Sequence, residues 1–185
     1  MVRIRPGEPL LEHKSPPQRR AMSLESVRAW LAAHAPDLPI IETEESTATV
    51  LEAAAALGVA PARIAKTLAV RVNGEVFLLV TRGDARLDNR KTKAAFSGRP
   101  RMLGPEETLA LTGHPVGGVC PFGLATPLPV YCDVSLREFD EVFPAAGSLT
   151  SSVRVTPERL GALVAKGWVD ICNLPASSPP APEDD

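Results

Sequence analysis

The sequence has few of the residues that most often mark a base-stacking surface, a disulfide framework or a metal site. Aromatic residues make up 4% of the 185 residues, which argues against a surface that stacks several bases. There are three cysteines, an odd number, and none of them has CxxC or Cys/His ligand spacing. We therefore predict buried free thiols rather than disulfides or a structural zinc site. They are Cys120, Cys132 and Cys172.

Long apolar runs are also missing from the sequence. No run approaches the ~18 residues that a membrane-spanning helix needs, and the N-terminal segment has arginines and prolines where a signal peptide has its apolar centre. We therefore expect a cytoplasmic protein. The length of 185 residues and the hydrophobic content of 44% predict one compact domain with a single sizeable core.

Charge is unevenly distributed along the chain, although the net charge is −2. Residues 1–21 carry a net +3 and residues 175–185 a net −3, and both stretches are rich in proline and aperiodic. Such stretches cannot bury enough apolar surface to offset the entropy lost on ordering. We therefore predict a flexible basic N-terminal tail (1–21), a folded domain (22–174) and a flexible acidic C-terminal tail (175–185). The sequence leaves open whether translation starts at Met1 or Met22.

The clearest local pattern is a β-hairpin. Residues 66–72 and 75–80 are predicted strands, and Asn73-Gly74 between them supplies the positive φ angles of a type I′ turn. Further strands are predicted over 128–132, 152–155 and 168–172. The predicted helices begin at Ser23, at Ser46 or Thr47, after Asp88, at Pro105, at Ser135 (to Val142) and at Pro157. This alternation predicts a mixed α/β (α+β) domain with a mixed β-sheet.

Lys66 and the glycine-rich loop 112–123 are the first candidates for chemistry. Lys66 lies in an apolar run, where an ammonium group is costly to bury unless a function or a partner explains it. The alternative is a lysine that reaches the surface from a strand end.

In the loop, Gly117 and Gly118 let main-chain N–H groups approach a phosphate or a developing oxyanion. The alternative there is an ordinary tight connection, because no Walker or GxGxxG motif is present.

Other polar residues are weaker candidates. His114 and Cys120 share the loop and suggest a thiol nucleophile with an imidazole base, but no third group orients them and a buried thiol is the commoner finding. Asp133 follows a predicted strand and is better explained as a helix cap than as a catalytic carboxylate. The histidines have no companions at ligand spacing, so we expect no metal.

Residues 82–101 form a basic segment with seven basic and two acidic side chains, a net charge of +5. Charged runs are usually solvated faces. This one lies between the hairpin and the glycine-rich loop, where it could meet a phosphodiester backbone. The candidate contacts to RNA phosphates are Arg82, Arg86, Arg90, Lys91 and Lys93.

Taken together, these motifs resemble the YbaK/EbsC-like aminoacyl-tRNA deacylases, which are similar to the editing insertion domain of bacterial prolyl-tRNA synthetases. The resemblance spans nearly all of 22–174 and depends on the order and spacing of its elements. These are Ile64-Ala-Lys66-Thr-Leu before a strand, Arg82-Gly-Asp84 with Leu87-Asp88, Thr112-Gly113 followed by Gly117-Gly-Val-Cys-Pro121-Phe-Gly, Val130-Tyr-Cys-Asp133, and Ala146-Gly147-Ser148.

The resemblance implies a fold in which helices surround a mixed β-sheet or partial barrel. By position, Lys66 matches the essential lysine of the family, and Gly117 with Pro121 matches its G-x-x-x-P loop. We expect main-chain N–H groups of Gly117, Gly118 and Val119 to contact the ester oxyanion. The positions that match the lining of the family's pocket are Thr47 or Thr49, Gly147, Ser148 and Ser152.

The implied function is that of a free-standing deacylase acting in trans, without metal or cofactor, on mischarged tRNA. The expected substrate is tRNA-Pro carrying alanine, cysteine, serine or 2-aminobutyrate, and an aminoacyl-tRNA synthetase is an expected partner. The alternative is a non-catalytic tRNA- or nucleotide-binding module of the same fold. A third hypothesis is a Cys120-dependent hydrolase of another acyl substrate. The residues leave open whether Lys66 binds a phosphate or ribose or polarises the ester.

Overall fold

The computed structural model describes the backbone of residues 16–176 and the side chains of residues 23–176. Most of both predicted tails, residues 1–15 and 177–185, therefore lies outside the described residues. The helices are α1 (Pro16–His34), α2 (Val50–Leu57), α3 (Asn89–Phe96), α4 (Pro105–Thr112) and α5 (Pro157–Val164). The strands are β1 (Ile40–Glu42), β2 (Ile64–Val72), β3 (Glu75–Arg82), β4 (Arg86–Leu87), β5 (Arg101–Met102), β6 (Val130–Asp133), β7 (Phe143–Pro144), β8 (Ser151–Val153), β9 (Gly167–Val169) and β10 (Cys172–Asn173).

The predicted hairpin forms the centre of a mixed six-stranded sheet. Asn73 and Gly74 have φ angles of 50° and 87°, which confirms the predicted turn between β2 and β3. β3 continues into parallel pairing with β6, and β6 with β9. On its other edge, β2 pairs with β7 and β5. In the described part of the chain this path ends at β5 and β9, so the sheet stays open and does not close into a barrel.

Both faces of the sheet are buried, because the two hairpin strands alternate between two apolar clusters. Ala65 and Ala69 of β2 face a cluster that includes α1 and the glycine-rich loop. Val70 and Val72 face a second cluster on the opposite side, formed with β10 and Phe77 of β3. Among residues 16–176, no helix has the length and apolar character needed to cross a membrane.

Helix starts differ from the sequence-based predictions in two places. Helix α1 begins at Pro16, seven residues before the predicted cap at Ser23. Helix α2 is capped by Thr49, not by Ser46 or Thr47, because Glu52 lies at the third helical position and completes a capping box with Thr49. The N–H of Thr47 instead donates to Leu149 O (2.6 Å) and fixes that residue in the wall described below.

The helix predicted from Ser135 to Val142 is a single 3-10 turn, Val134–Glu138. Asp133 caps it by accepting from Ser135 N, which confirms the predicted capping role. The turn cannot continue as a helix because Phe139 is extended (φ −110°, ψ 151°) and Val142 pairs with Val155. Long-range pairing therefore overrides a local helix signal.

Candidate active site

A cavity of about 260 Å³ lies between β2, the start of α2 and the glycine-rich loop. Its walls are mostly apolar, with alanines, valines and Phe143 from four separate stretches of chain. Six of the predicted site residues lie in these walls. They are Thr47, Thr49, Lys66, Gly117, Val119 and Ser152.

The floor of the cavity is a gap in the edge of β2. That edge pairs with β7 at Ile64 and Ala65, and with β5 at Val70 and Arg71. Between these two pairings no described strand covers β2, so every residue from Ile64 to Ala69 contributes to the lining. At this edge the main-chain N–H and C=O of Thr67 are therefore available to a ligand.

Lys66 lies on this uncovered stretch, but its Nζ atom is already engaged. It donates to Gly83 O (3.2 Å) and to Ala85 O, in the turn that follows β3. Burial lowers the pKa of Lys66, partly offset by the nearby Cys172 and Asp84. An ammonium group has three N–H donors, so one remains for a substrate after these two contacts.

The glycine-rich loop forms a second wall of the cavity. Gly117 has a φ angle of 91°, and a Cβ at this position would lie 2.9 Å from Leu149 Cδ2 and 3.1 Å from Ala48 Cβ. The N–H of Gly118 donates to Pro115 O (2.9 Å), so it is not available to a ligand. Within the described residues, the N–H groups of Gly117 and Val119 have no such partner, which narrows the candidate oxyanion donors to these two.

Four predicted residues do not line the cavity but pack next to the residues or loops that do. Gly118 and Pro121 are buried, and a Cβ on Gly118 would lie 3.0 Å from the main chain of Ser148. The Oγ of Ser148 is hydrogen-bonded to Ser151 Oγ (2.6 Å). Gly147 packs against the Ser23 carbonyl of α1, where a Cβ would lie 2.8 Å from the oxygen. The cavity therefore depends on these four residues without being lined by them.

The proposed thiol nucleophile does not fit its surroundings. Cys120 is fully buried, and burial raises the pKa of its thiol to about 12. Its Sγ lies 3.7 Å from His114 Nε2, but that nitrogen is 2.8 Å from Phe122 O, and His114 Nδ1 is 2.7 Å from Ser23 Oγ. A nucleophilic cysteine needs an exposed thiolate, so the pair is structural. All three cysteines are free and buried, as predicted.

The basic segment divides into engaged and exposed cations. Arg82 forms ion pairs with Asp84 and Glu138, and its side chain is only 15% exposed. Lys91 is paired with Asp170 and also donates to Cys172 O. Arg86, Arg90 and Lys93 are exposed. The segment ends directly before Met102, which lines the cavity.

Sequence reasoning missed Thr67, the residue next to Lys66 on the uncovered edge of β2. Thr67 lines the cavity, and its Oγ1 atom is buried without a hydrogen-bond partner in the described protein. The one signal in the sequence was a threonine inside an apolar strand, which β-propensity alone explains. Within residues 16–176, no group of three His, Cys, Asp or Glu side chains is placed to hold a metal ion.

Comparison with known proteins agrees with this geometry. The family model of the aminoacyl-tRNA editing domain matches residues 44–163, which include the whole cavity wall. The chain belongs to the aminoacyl-tRNA editing domain family. A solved structure described as that of a candidate trans-editing enzyme for prolyl tRNA synthetase shares the fold, with a TM-score of 0.75 and 35% identity. The match covers 82% of this chain and 97% of that one.

Two similar proteins match this chain over very different shares of their own length. The YwhH protein of Bacillus subtilis, whose function is uncharacterised, is 47% identical over 153 residues, 82% of this chain and 98% of YwhH. The proline–tRNA ligase of Solidesulfovibrio magneticus is 41% identical over 90 residues. That segment is 48% of this chain but 15% of the ligase.

Proposed function

We propose that this editing-domain protein is a free-standing deacylase that hydrolyses the ester between tRNA and a wrongly attached small amino acid. Among tRNAs, tRNA-Pro is the proposed substrate, because the similar ligases and the candidate trans-editing enzyme both act in the context of prolyl-tRNA. The cytoplasm, where translation occurs, is the location that this function implies.

The observation that carries the proposal is the small apolar cavity between Lys66 and the glycine-rich loop. A volume of about 260 Å³ is below the usual range for drug-sized ligands and suits an aminoacyl group with a short side chain. Alanine, serine, cysteine and 2-aminobutyrate fit this description. We propose that discrimination against larger side chains is steric.

The proposed reaction requires little beyond positioning. A water molecule attacks the ester carbonyl, negative charge develops on its oxygen, and the N–H groups of Gly117 and Val119 donate to that oxygen. The bond between the carbonyl carbon and the ribose oxygen then breaks, the ribose oxygen takes a proton, and free amino acid and tRNA leave. We propose that a hydroxyl of the substrate itself positions the water. The third N–H of Lys66 donates to a phosphate, ribose or ester oxygen.

Exposed cations of the basic segment are proposed to hold the tRNA. Arg86, Arg90 and Lys93 are exposed, and the segment leads into the cavity at Met102. Arg82 and Lys91 are better assigned to the fold, since each is held in ion pairs. Contacts to phosphates would position the acceptor end of the tRNA, while the cavity selects the amino acid.

The deciding experiment is release of amino acid from a panel of mischarged tRNAs, with tRNA-Pro carrying alanine, serine, cysteine or 2-aminobutyrate. We expect turnover of at least one ester, and a decrease of about 100-fold in Lys66→Ala, the size of effect seen when one electrostatic contact to a transition state is removed. Lys166→Ala, an exposed lysine outside the cavity, is the matched control. Normal turnover by Lys66→Ala would refute the role given to Lys66.

The alternative, a tRNA-binding module without catalysis, is distinguished by the same panel. Such a protein would bind tRNA with a steep salt dependence and leave every ester intact. The engagement of Lys66 Nζ by two carbonyl oxygens is the feature that favours this alternative.

A further inference from the structure

Two threonine hydroxyls in the cavity walls have no hydrogen-bond partner among the described residues. They are Oγ1 of Thr47, in the segment before α2, and Oγ1 of Thr67, on β2. Thr47 as a whole is only 5% exposed. A buried hydroxyl without a partner is unfavourable in the free protein. A ligand that supplies the missing partners removes this cost when it binds.

The main-chain groups of Thr67 also lack a pairing partner. The carbonyl of Ala69 accepts from Leu103 N (3.0 Å), so the polar groups of Ala69 face the outer edge of β2. Main-chain groups two residues apart on a strand face the same edge. The N–H and C=O of Thr67 therefore face the gap between β7 and β5, where no described strand pairs with them.

The charges of the cavity lining indicate how a ligand amino group would be bound by the threonine hydroxyls and the Thr67 carbonyl. The lining contains no aspartate or glutamate, and its charged side chain is the cationic Lys66. An amino group in this cavity must therefore donate to neutral oxygens. The two threonine hydroxyls and the carbonyl of Thr67 are three such acceptors, and a primary ammonium group has three N–H donors.

We propose that Thr67 and Thr47 bind the α-amino group of the aminoacyl ester. This inference rests on the proposed deacylase function and adds an orientation to it. The amino group lies at the uncovered edge of β2, and the ester carbonyl lies toward Gly117 and Val119. The secondary amine of proline has one N–H fewer, so the contact also favours primary amino acids over proline.

The test compares two esters that differ only at the α-amino group, alanyl-tRNA-Pro and propionyl-tRNA-Pro. Thr67→Val removes the hydroxyl and keeps the shape and the β-branching. We expect it to lower the ratio of the alanyl to the propionyl release rate about 3- to 10-fold, the effect of removing one neutral hydrogen bond. Thr67→Ser should restore the alanyl rate.

Thermal unfolding of the free protein gives an independent readout. Thr67→Val should not lower the melting temperature, because the hydroxyl it removes has no protein partner. Thr92→Val is the control, since the Oγ1 of Thr92 donates to Asp88 O (2.7 Å) outside the cavity. That change should lower the melting temperature and leave the ratio of the two rates unchanged.

Three outcomes would overturn the inference. Equal slowing of both esters by Thr67→Val would assign Thr67 to the general shape of the cavity, and no slowing of either would mean that solvent alone satisfies the hydroxyl. If wild type released neither acyl group nor any amino acid of the panel, the proposed function would fail and this inference with it.

Discussion

His114 is the residue that joins the glycine-rich loop to helix α1. Its ring lies between Ser23 Oγ at 2.7 Å and Phe122 O at 2.8 Å. Because a carbonyl can only accept, Nε2 carries the proton and Nδ1 accepts from Ser23. The ring is completely buried, and burial lowers the pKa of His114. The histidine that suggested a catalytic base is therefore a neutral link between two structural elements.

We predict that this link weakens in mild acid. Because the pKa of His114 is lower in the folded protein than the value of about 6.5 in an unfolded chain, the unfolded state binds more protons between these two values. The free energy of unfolding should therefore fall as the pH drops below about 6.5, and this loss should cease below the lowered pKa. Urea unfolding between pH 7 and pH 5 measures the effect.

His34 provides the matched comparison for this prediction. It is exposed on the last turn of α1. His114→Gln should flatten the decrease of stability with falling pH, whereas His34→Gln should leave it as in wild type. An unchanged pH dependence in His114→Gln would show that other groups cause the loss.

Single residues were predictable where their chemistry conflicted with their neighbours. Lys66 is an ammonium in an apolar strand, and that conflict is visible in the sequence. Thr67 shows no such conflict, because threonine is common in strands. Its importance depends on the gap between β7 and β5, two strands that lie far from each other in the chain.

At the scale of elements, the start of α2 positions one wall of the cavity. Thr49 Oγ1 accepts from Glu52 N (3.2 Å), and Glu52 Oε2 accepts from Thr49 N (3.1 Å). This reciprocal cap fixes the chain immediately after Thr47. The carboxylate of Glu52 also accepts from Ser46 Oγ (3.0 Å), so Glu52 in the first turn of α2 holds both Ser46 and Thr49 of the preceding segment.

We predict that Thr49→Ala lowers the free energy of unfolding by about 1 kcal/mol, the usual cost of removing a helix cap. Ser46→Ala removes two exposed hydrogen bonds, one to Glu52 Oε2 and one from Ala48 N, and leaves the cap in place, so it should cost less than about 0.5 kcal/mol. Chemical denaturation of both variants measures the difference. Equal destabilisation by the two changes would contradict the assignment of Thr49 as the cap.

Element boundaries were predictable where short-range chemistry determines them. The Asn73-Gly74 turn requires positive φ angles at two adjacent residues, and few other dipeptides accept them. The segment after Asp133 was mispredicted as a full helix because its competitor, the pairing of Val142 with Val155, is a long-range interaction. Local patterns do not reveal such a competitor.

At the scale of the whole molecule, charge is distributed unevenly along the chain. The net charge is −2, yet in the sequence the exposed cations of α3 and its flanks lie between the Gly83–Ala85 turn that holds Lys66 and Met102, which lines the cavity. A near-neutral average is therefore compatible with an RNA partner, which would be held through phosphates.

We predict that the double change Arg90→Glu and Lys93→Glu weakens tRNA binding and lowers its salt dependence. Removing one cation that neutralises a phosphate should reduce the slope of log K against log salt by about 0.7 to 0.9. Filter binding or fluorescence anisotropy at several salt concentrations measures both quantities. Lys91 is left unchanged because its pairing with Asp170 supports the fold.

Arg154→Glu with Lys166→Glu changes the total charge equally and serves as the control, since both residues are exposed outside the basic segment. If this control weakened binding as much as the changes on α3, the effect would come from net charge. The basic segment would then be a solvated face only.

The sequence by itself determined the local structure and the resemblance to a family. Turn residues, caps and alternating apolar positions act over a few residues, so the hairpin, most helices, Lys66 and the glycine-rich loop could be identified from their neighbours alone.

Only the tertiary structure decided which of these residues share a cavity. The gap in β2, the unpartnered hydroxyls of Thr47 and Thr67, the engaged Gly118 N–H and the ion-paired Arg82 all depend on contacts between distant parts of the chain. Such contacts are set by the packing of the whole domain, and no local pattern encodes them.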